Sequence, residues 1–359
     1  MTWAYSCEAP PADTALGAAL GQALARRGGA KHGRCDPAVV EIELTSLILD
    51  RGIDLLYHAY PLGLDLANKG VRGVYVGSKG GCRYVGGAAF VDATPAARLF
   101  RRAQSGPPPA PVANHESTAE YTFFMAHAAR TLKATEPLTE RITFHPTPWE
   151  NSIAVSFTHG IGSGADYWRE LPDVLRVVRQ EYAPLATALV THVCNEGLPL
   201  CAADEPPGAD PGHPALPNLF RCCPEGPGPC GTDMGPRLRR GEHVASAVVA
   251  RDSGVPAGGS RTVPPMDRFA EAEEDADIVI GGGGTGGSIA ALAAADGTRV
   301  AVLEAGPVLG GIGTGGCIHY LSRGNRGKGL QRIVDDRTAE IAPLFAGQSA
   351  NEKPAMFHP

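Results

Sequence analysis

The residues best suited by type and spacing to do chemistry lie between Asp277 and Glu304, DIVIGGGGTGGSIAALAAADGTRVAVLE. Gly282-x-Gly284-x-x-Gly287 follows a short apolar strand, Ile278 to Ile280, and opens an alanine-rich helix that runs to about Ala295. Gly297 lies past the helix end, and a second apolar strand, Arg299 to Leu303, closes on Glu304. This order predicts a unit that holds a dinucleotide. Gly282 allows the tight turn, Gly284 lets the backbone approach a pyrophosphate, and Gly287 lets the helix pack closely on the strand. Thr285 and Gly286 complete the turn, and the helix N-terminus offers unpaired N–H groups to the phosphates. Glu304, at the tip of the second strand, is placed to accept hydrogen bonds from an adenosine ribose. A glutamate there favours a free ribose hydroxyl over a 2′-phosphate and leaves FAD and NAD both open.

A second glycine-dense stretch, Leu309 to Tyr320 (LGGIGTGGCIHY), comes directly after the ribose acid. Gly310-Gly311-Ile312-Gly313-Thr314-Gly315 is followed by His319-Tyr320 and then by Gly324-Asn325-Arg326. With these residues the chain resembles the FAD-dependent oxidoreductases of the glutathione-reductase-like fold, in particular a bacterial group. The resemblance implies that Gly310, Gly311, Gly313 and Thr314 line the pyrophosphate and flavin, and that the cofactor is FAD. It also implies an α/β fold, a three-layer FAD/NAD(P)-binding Rossmann-like domain with a β-meander and an additional α+β substrate region. His319 and Tyr320 could reach a substrate over the flavin as acid or base, or pack beneath the loop; no catalytic residue is assigned. Cys317 is read as a small buried residue near that loop.

An earlier part of the chain resembles the middle of the same family. Gly52 to Ala59 (GIDLLYHA), a meander from Val71 to Val85, and Phe90 to Thr94 (FVDAT) match in kind, with Pro95 standing where the family has glycine. Proline there removes an N–H and fixes φ. The fingerprint thus follows, rather than precedes, the segments that it precedes in the family. Either residues 36 to 195 and 277 to 359 complement each other in permuted order, or they are parts of two units.

The elements around these motifs are read from periodicity. Residues 14 to 27 and Pro37 to Asp50 predict helices, the second with Glu41 and Glu43 near the positive end of its macrodipole. Ile53 to Tyr60 reads as a strand containing a core histidine, His58, and Ala88 to Ala93 as a strand buried on both faces. His115 to Leu132 reads as helical, Arg141 to Phe157 as two strands around Pro146 to Trp149, and Leu171, Val174, Leu175 and Val178 as the core face of a helix.

Five regions follow: an N-terminal helix and loop (1–35), the meander part (36–104), an α+β substrate-like region (115–198), a linker (199–270) and the dinucleotide unit (277–359). Thirteen prolines between 199 and 265 carry the linker reading.

The 359 residues carry a net charge of −6, and the arginine pairs at 26–27, 101–102 and 239–240 are scattered, so nucleic acid is not an expected partner. The longest apolar run, Ser288 to Ala295, is too short to cross a membrane. No export signal is recognised at the N-terminus, so a cytoplasmic protein with cysteines as thiols is expected. Cys194, Cys201, Cys222, Cys223 and Cys230 crowd one stretch without a C-x2-C pair, and no metal site is assigned. No nucleophile elbow, HExxH or phosphate-binding GKS/GKT motif occurs, which leaves hydrolase and kinase readings without support. The expected activity is transfer of a hydride from a small organic substrate to FAD. The alternatives are a non-catalytic or truncated remnant of such an enzyme and an NAD-binding protein.

Overall fold

A computed structural model describes residues 9–10, 12–31, 33–67, 70–78, 80–94, 99–100, 103, 118–160, 164–194, 197–200, 210–222, 234–250, 275–306, 309–310 and 329–347. Thr14 and Asp36 start the first two helices. The Thr14 hydroxyl accepts the Gly17 N–H at 2.9 Å at the head of α1 (Ala15–Arg26), whose Leu20, Ala23 and Leu24 are buried. A two-residue hairpin, β1 (Ala30–Lys31) and β2 (Arg34–Cys35), leads to α2 (Pro37–Leu49). Proline at the first helical position and the Asp36 carboxylate, which accepts from Ala38 and Val39, set this start. Glu41 and Glu43 fall beyond the first turn, which corrects their expected role. Asp36 supplies the negative charge there, and Glu43 pairs with Arg27 of the preceding helix end.

The meander is β3 (Ala59–Ala67), β4 (Gly70–Ser78) and β5 (Gly81–Gly86), all antiparallel. Its first strand starts later than Ile53 because His58 adopts a left-handed φ of 51°, which ends any extended run across it. Ile53, Leu56 and Tyr57 are exposed, and His58 is an exposed turn residue rather than a core histidine. In the meander Asp65 is buried and held by Arg72 Nη2 at 2.8 Å and Tyr84 Oη at 3.1 Å. The next strand, β6 (Phe90–Asp92), is not buried on both faces as expected, since Val91 is 48% exposed.

A larger antiparallel sheet follows. It comprises β7 (Thr118–Ala126), β8 (Glu136–Pro137), β9 (Ile142–Pro146) and β10 (Ser152–Gly160). After α3 (Gly164–Glu181) come β11 (Leu189–Val193) and β12 (Leu198–Leu200). The strand order is β11-β7-β10-β9-β8, with β12 also on β7. The helix expected over His115 to Leu132 is corrected to strand β7 where the chain is described. Its aromatic and β-branched residues alternate: Tyr121, Phe123 and Met125 enter the main core, while Phe124 packs on Ala154 across the other face. Leu171, Val174, Leu175 and Val178 of α3 cover the first face, as their spacing predicts.

The proline-rich region expected to be a linker contains ordered elements. Strand β13 (Leu219–Arg221) pairs in parallel with β6, and α4 (Met234–Ala250) follows. Asn218, fully buried, ties β13 to the meander: its Oδ1 accepts from Val71 N–H at 2.9 Å, and its Nδ2 donates to Val71 O and Ala88 O. Backbone pairing, one satisfied amide and the two buried side chains of Leu219 and Phe220 place β13, a stretch too short to show a hydrophobic period.

The last segment has β14 (Ile278–Gly281), α5 (Thr285–Ala294), β15 (Val300–Leu303) and α6 (Gln331–Ala346). The two strands pair in parallel, Ile278 opposite Val300 and Gly281 opposite Leu303, with α5 as the crossover. The described residues thus supply two strands and one helical layer of a Rossmann-type unit. These strands form a sheet of their own, separate from β3 and β6; Tyr60 Oη donates to Ala305 O at 3.4 Å between the meander and the tip of β15. The final helix, α6, packs on α3 and β11, where the Arg179 guanidinium donates to the carbonyls of Leu185, Ala186, Ala188 and Leu344. Among the described residues no helix is long and apolar enough to cross a membrane.

Two measurements check this architecture. Replacing Asn218 by Ala removes the side-chain partner of the buried Val71 N–H and C=O, and should lower unfolding stability by roughly 1–3 kcal/mol in a urea titration. His145, whose Nε2 meets Ser156 Oγ at 2.8 Å, titrates at about 4, lowered from its ordinary 6.5 first by burial and then by Arg34. The unfolded chain therefore takes up this proton first. The stability that His145 contributes is complete above pH 6.5 and lost as the pH falls toward 4, and His145→Gln should flatten stability against pH across that window.

Candidate functional site

The turn from β14 into α5 is built from main chain. Gly282 extends the strand ladder by donating its N–H to Leu303 O at 2.8 Å, then turns the chain with a φ of +96°, a conformation that glycine alone adopts without strain. Gly284 caps α5 in an extended conformation, φ −60° and ψ −178°, that any residue could adopt. Its glycine character therefore serves space: among the described residues a β-carbon there would meet no atom within 4 Å. At Gly287 the reverse holds, for a β-carbon would lie 1.8 Å from the carbonyl oxygen of Gly282. One glycine keeps the approach to the helix clear, and the other lets the helix stand against the turn.

The first-turn N–H groups of Thr285, Gly286 and Gly287 have no acceptor within the helix, which makes this corner a site for an anion. Glu304 reaches the same corner from the tip of β15. Its Oε2 accepts the Gly283 N–H at 2.6 Å and its Oε1 the Gly306 N–H at 2.7 Å, so the acid fixes both loops. Gly310 arrives with a φ of +92° and donates its N–H to Gly283 O at 2.8 Å.

The structure thus brings Gly282, Gly284, Thr285, Gly286, Gly287, Glu304 and Gly310 to one corner. Gly311, Gly313 and Thr314 lie outside the described residues, as do Cys317, His319, Tyr320 and Gly324 to Arg326. At the β6 end, the buried Asp92 carboxylate accepts from Thr94 N–H, the Thr94 hydroxyl and Phe100 N–H, holding its own loop. Among the cysteines, Cys194 lies in the main core, where burial pushes its thiol up.

Sequence reading missed Gly283, Ser288 and Leu309. The Ser288 hydroxyl donates to Gly283 O at 2.8 Å, and a β-carbon on Gly283 would lie 2.4 Å from Leu309 Cδ2. The signal was present: Gly281 to Gly284 is a run of four glycines, of which the fingerprint requires two.

Residues 277–357 match the sequence model of the family described as FAD dependent oxidoreductase, the stretch that begins with β14 and contains this corner. That segment is similar in sequence to the FAD-dependent oxidoreductases. No curated protein matches the chain in sequence. Among solved structures, the chain is similar to a geranylgeranyl bacteriochlorophyll reductase-like protein from Thermoplasma acidophilum. That likeness has 13% identity and a TM-score of 0.43, over 60% of this chain and 54% of that one. It is similar to glycine oxidase from Bacillus cereus at 12% identity and a TM-score of 0.39, over 61% of this chain and 57% of that one. Glycine oxidase from Geobacillus kaustophilus gives 13% and 0.41, over 68% and 60%. The chain spans less than two thirds of the length of each.

The close contact at Gly287 yields a direct check on the flavin segment. Gly287→Ala forces the α5 start away from the Gly282 carbonyl, and should destabilise the unit by roughly 1–3 kcal/mol. Faster amide exchange in β14 and β15, with the six-stranded sheet unaffected, is the expected signature.

Proposed function

We propose that the protein is an FAD-dependent oxidoreductase acting on a small organic substrate. The observation that carries this reading is the clear space over Gly284 at the start of α5, beside the unpaired first-turn amides and within a segment that matches the FAD family. A diphosphate bridge suits that corner in charge and in space: a helix N-terminus favours negative charge, and no side chain of the described residues lies within 4 Å of a β-carbon built on Gly284.

In this reading the amides of Thr285, Gly286 and Gly287 hold the pyrophosphate and Glu304 orients the adenosine ribose. Gly310, Gly311, Gly313 and Thr314 are assigned to the pyrophosphate and flavin by the family resemblance alone. When bound, FAD supplies the redox chemistry as a hydride acceptor. The chain binds and orients it.

One observation favours a second reading, a protein that keeps the dinucleotide corner without a complete flavin pocket. Strands β14 and β15 form their own two-stranded sheet rather than joining β6 and β13. The visible spectrum of the purified protein separates the two. A flavin band that stays with the protein through desalting is the expected result, and Gly284→Val should abolish it by placing a branched side chain where the phosphates lie. Absence of the band, and of FAD binding on titration, would leave the second reading; retention by Gly284→Val would overturn the assigned corner.

A further inference from the structure

The segment after β15 is fastened to the turn before α5 by contacts that the glycine spacing does not require. Gly310 lies in a parallel bridge with Gly284 and donates its N–H to Gly283 O at 2.8 Å. The Thr285 hydroxyl donates to Gly310 O at 3.1 Å. Leu309 lies over Gly283, which is buried and has no side chain to displace it. Both polar groups of Gly310 are therefore taken up by the fingerprint turn, one by main chain and one by a side chain.

We infer that Thr285 is a positioning residue for the dinucleotide: its hydroxyl locks the start of the second glycine loop onto the turn that carries the pyrophosphate. This rests on the FAD reading above. The physical need lies in Gly310 itself. A glycine at φ +92° is held by nothing of its own, since it lacks the β-carbon that narrows the backbone choices of other residues. The Gly283 bond restrains the peptide plane before Gly310, and the Thr285 bond restrains the plane after it. With only the first in place the carbonyl side of Gly310 loses its restraint, and ligand binding must then order it. Thr285 is exposed and lies at the first position of α5, so its hydroxyl is not needed to cap that helix, whose cap is Gly284.

The test compares Thr285→Val, which keeps the shape and removes the hydroxyl, with Thr285→Ser, which keeps the hydroxyl. Two quantities are read: hydrogen exchange at the Gly310 amide in cofactor-free protein, with Val302 of β15 as internal reference, and FAD affinity by fluorescence titration. Thr285→Val should accelerate Gly310 exchange relative to Val302 and weaken FAD binding by roughly three- to tenfold, the effect of one modest hydrogen bond. Thr285→Ser should match the wild type in both. Wild-type binding of FAD with unchanged affinity or unchanged Gly310 exchange in Thr285→Val overturns the positioning role alone. Equal loss in Thr285→Ser also overturns it, because the hydroxyl would not be the group that acts. A wild type that binds no FAD overturns the FAD reading and the role together.

Discussion

The Gly282 carbonyl stands 1.8 Å from where a β-carbon of residue 287 would be, and the flavin segment depends on that contact. Because residue 287 has no side chain, α5 starts directly against the end of β14. Only then do its first-turn amides face the space over Gly284, and only then does the parallel ladder from Ile278 to Leu303 bring Glu304 to the same corner. A strand, a helix and an acid are brought together by the absence of atoms at two positions.

What holds this unit differs from what holds the rest of the chain. Between the six-stranded sheet and α3, Phe123, Phe144 and Phe157 of the strands and Tyr167 and Leu175 of the helix are fully or almost fully buried, and dispersion with the removal of apolar surface from water supplies the stability. In the flavin segment α5 buries no side chain, and Val279 and Leu303 remain exposed. Ladder hydrogen bonds, the Glu304 carboxylate and close glycine contacts hold it. A unit of that kind is sensitive to single backbone bonds, which is why one hydroxyl at Thr285 carries weight there and would carry little in the large core.

The chain also couples its last segment to the six-stranded sheet. The matched segment runs past β15 into α6, and α6 is anchored on α3 and β11 by Arg179 through Leu344 O. At its C-terminus Gly347 takes φ +69° close against Thr187 O, leaving no room for a β-carbon. The segment that carries the dinucleotide corner therefore ends on the six-stranded sheet, the region read from sequence as substrate-like.

By itself the sequence determined those features in which a residue type acts on its own neighbours. The strand, glycine turn, helix and acid of 278 to 304 form a local pattern, and so does the apolar face of α3; each was legible because its partners lie within a few residues. Tertiary structure decided what depends on distant partners. It made β7 a strand where composition suggested a helix, because pairing with β10 and β11 satisfies its backbone and gives both faces a place. It drew β13 out of a proline-rich stretch through an amide at Asn218 that reaches residues 71 and 88, and it left β14 and β15 in a sheet apart from β6. The contacts of Gly283, Leu309 and Thr285 belong to this second kind: the glycines were visible, but which loop would close over them was set by the chain folding back from residue 310.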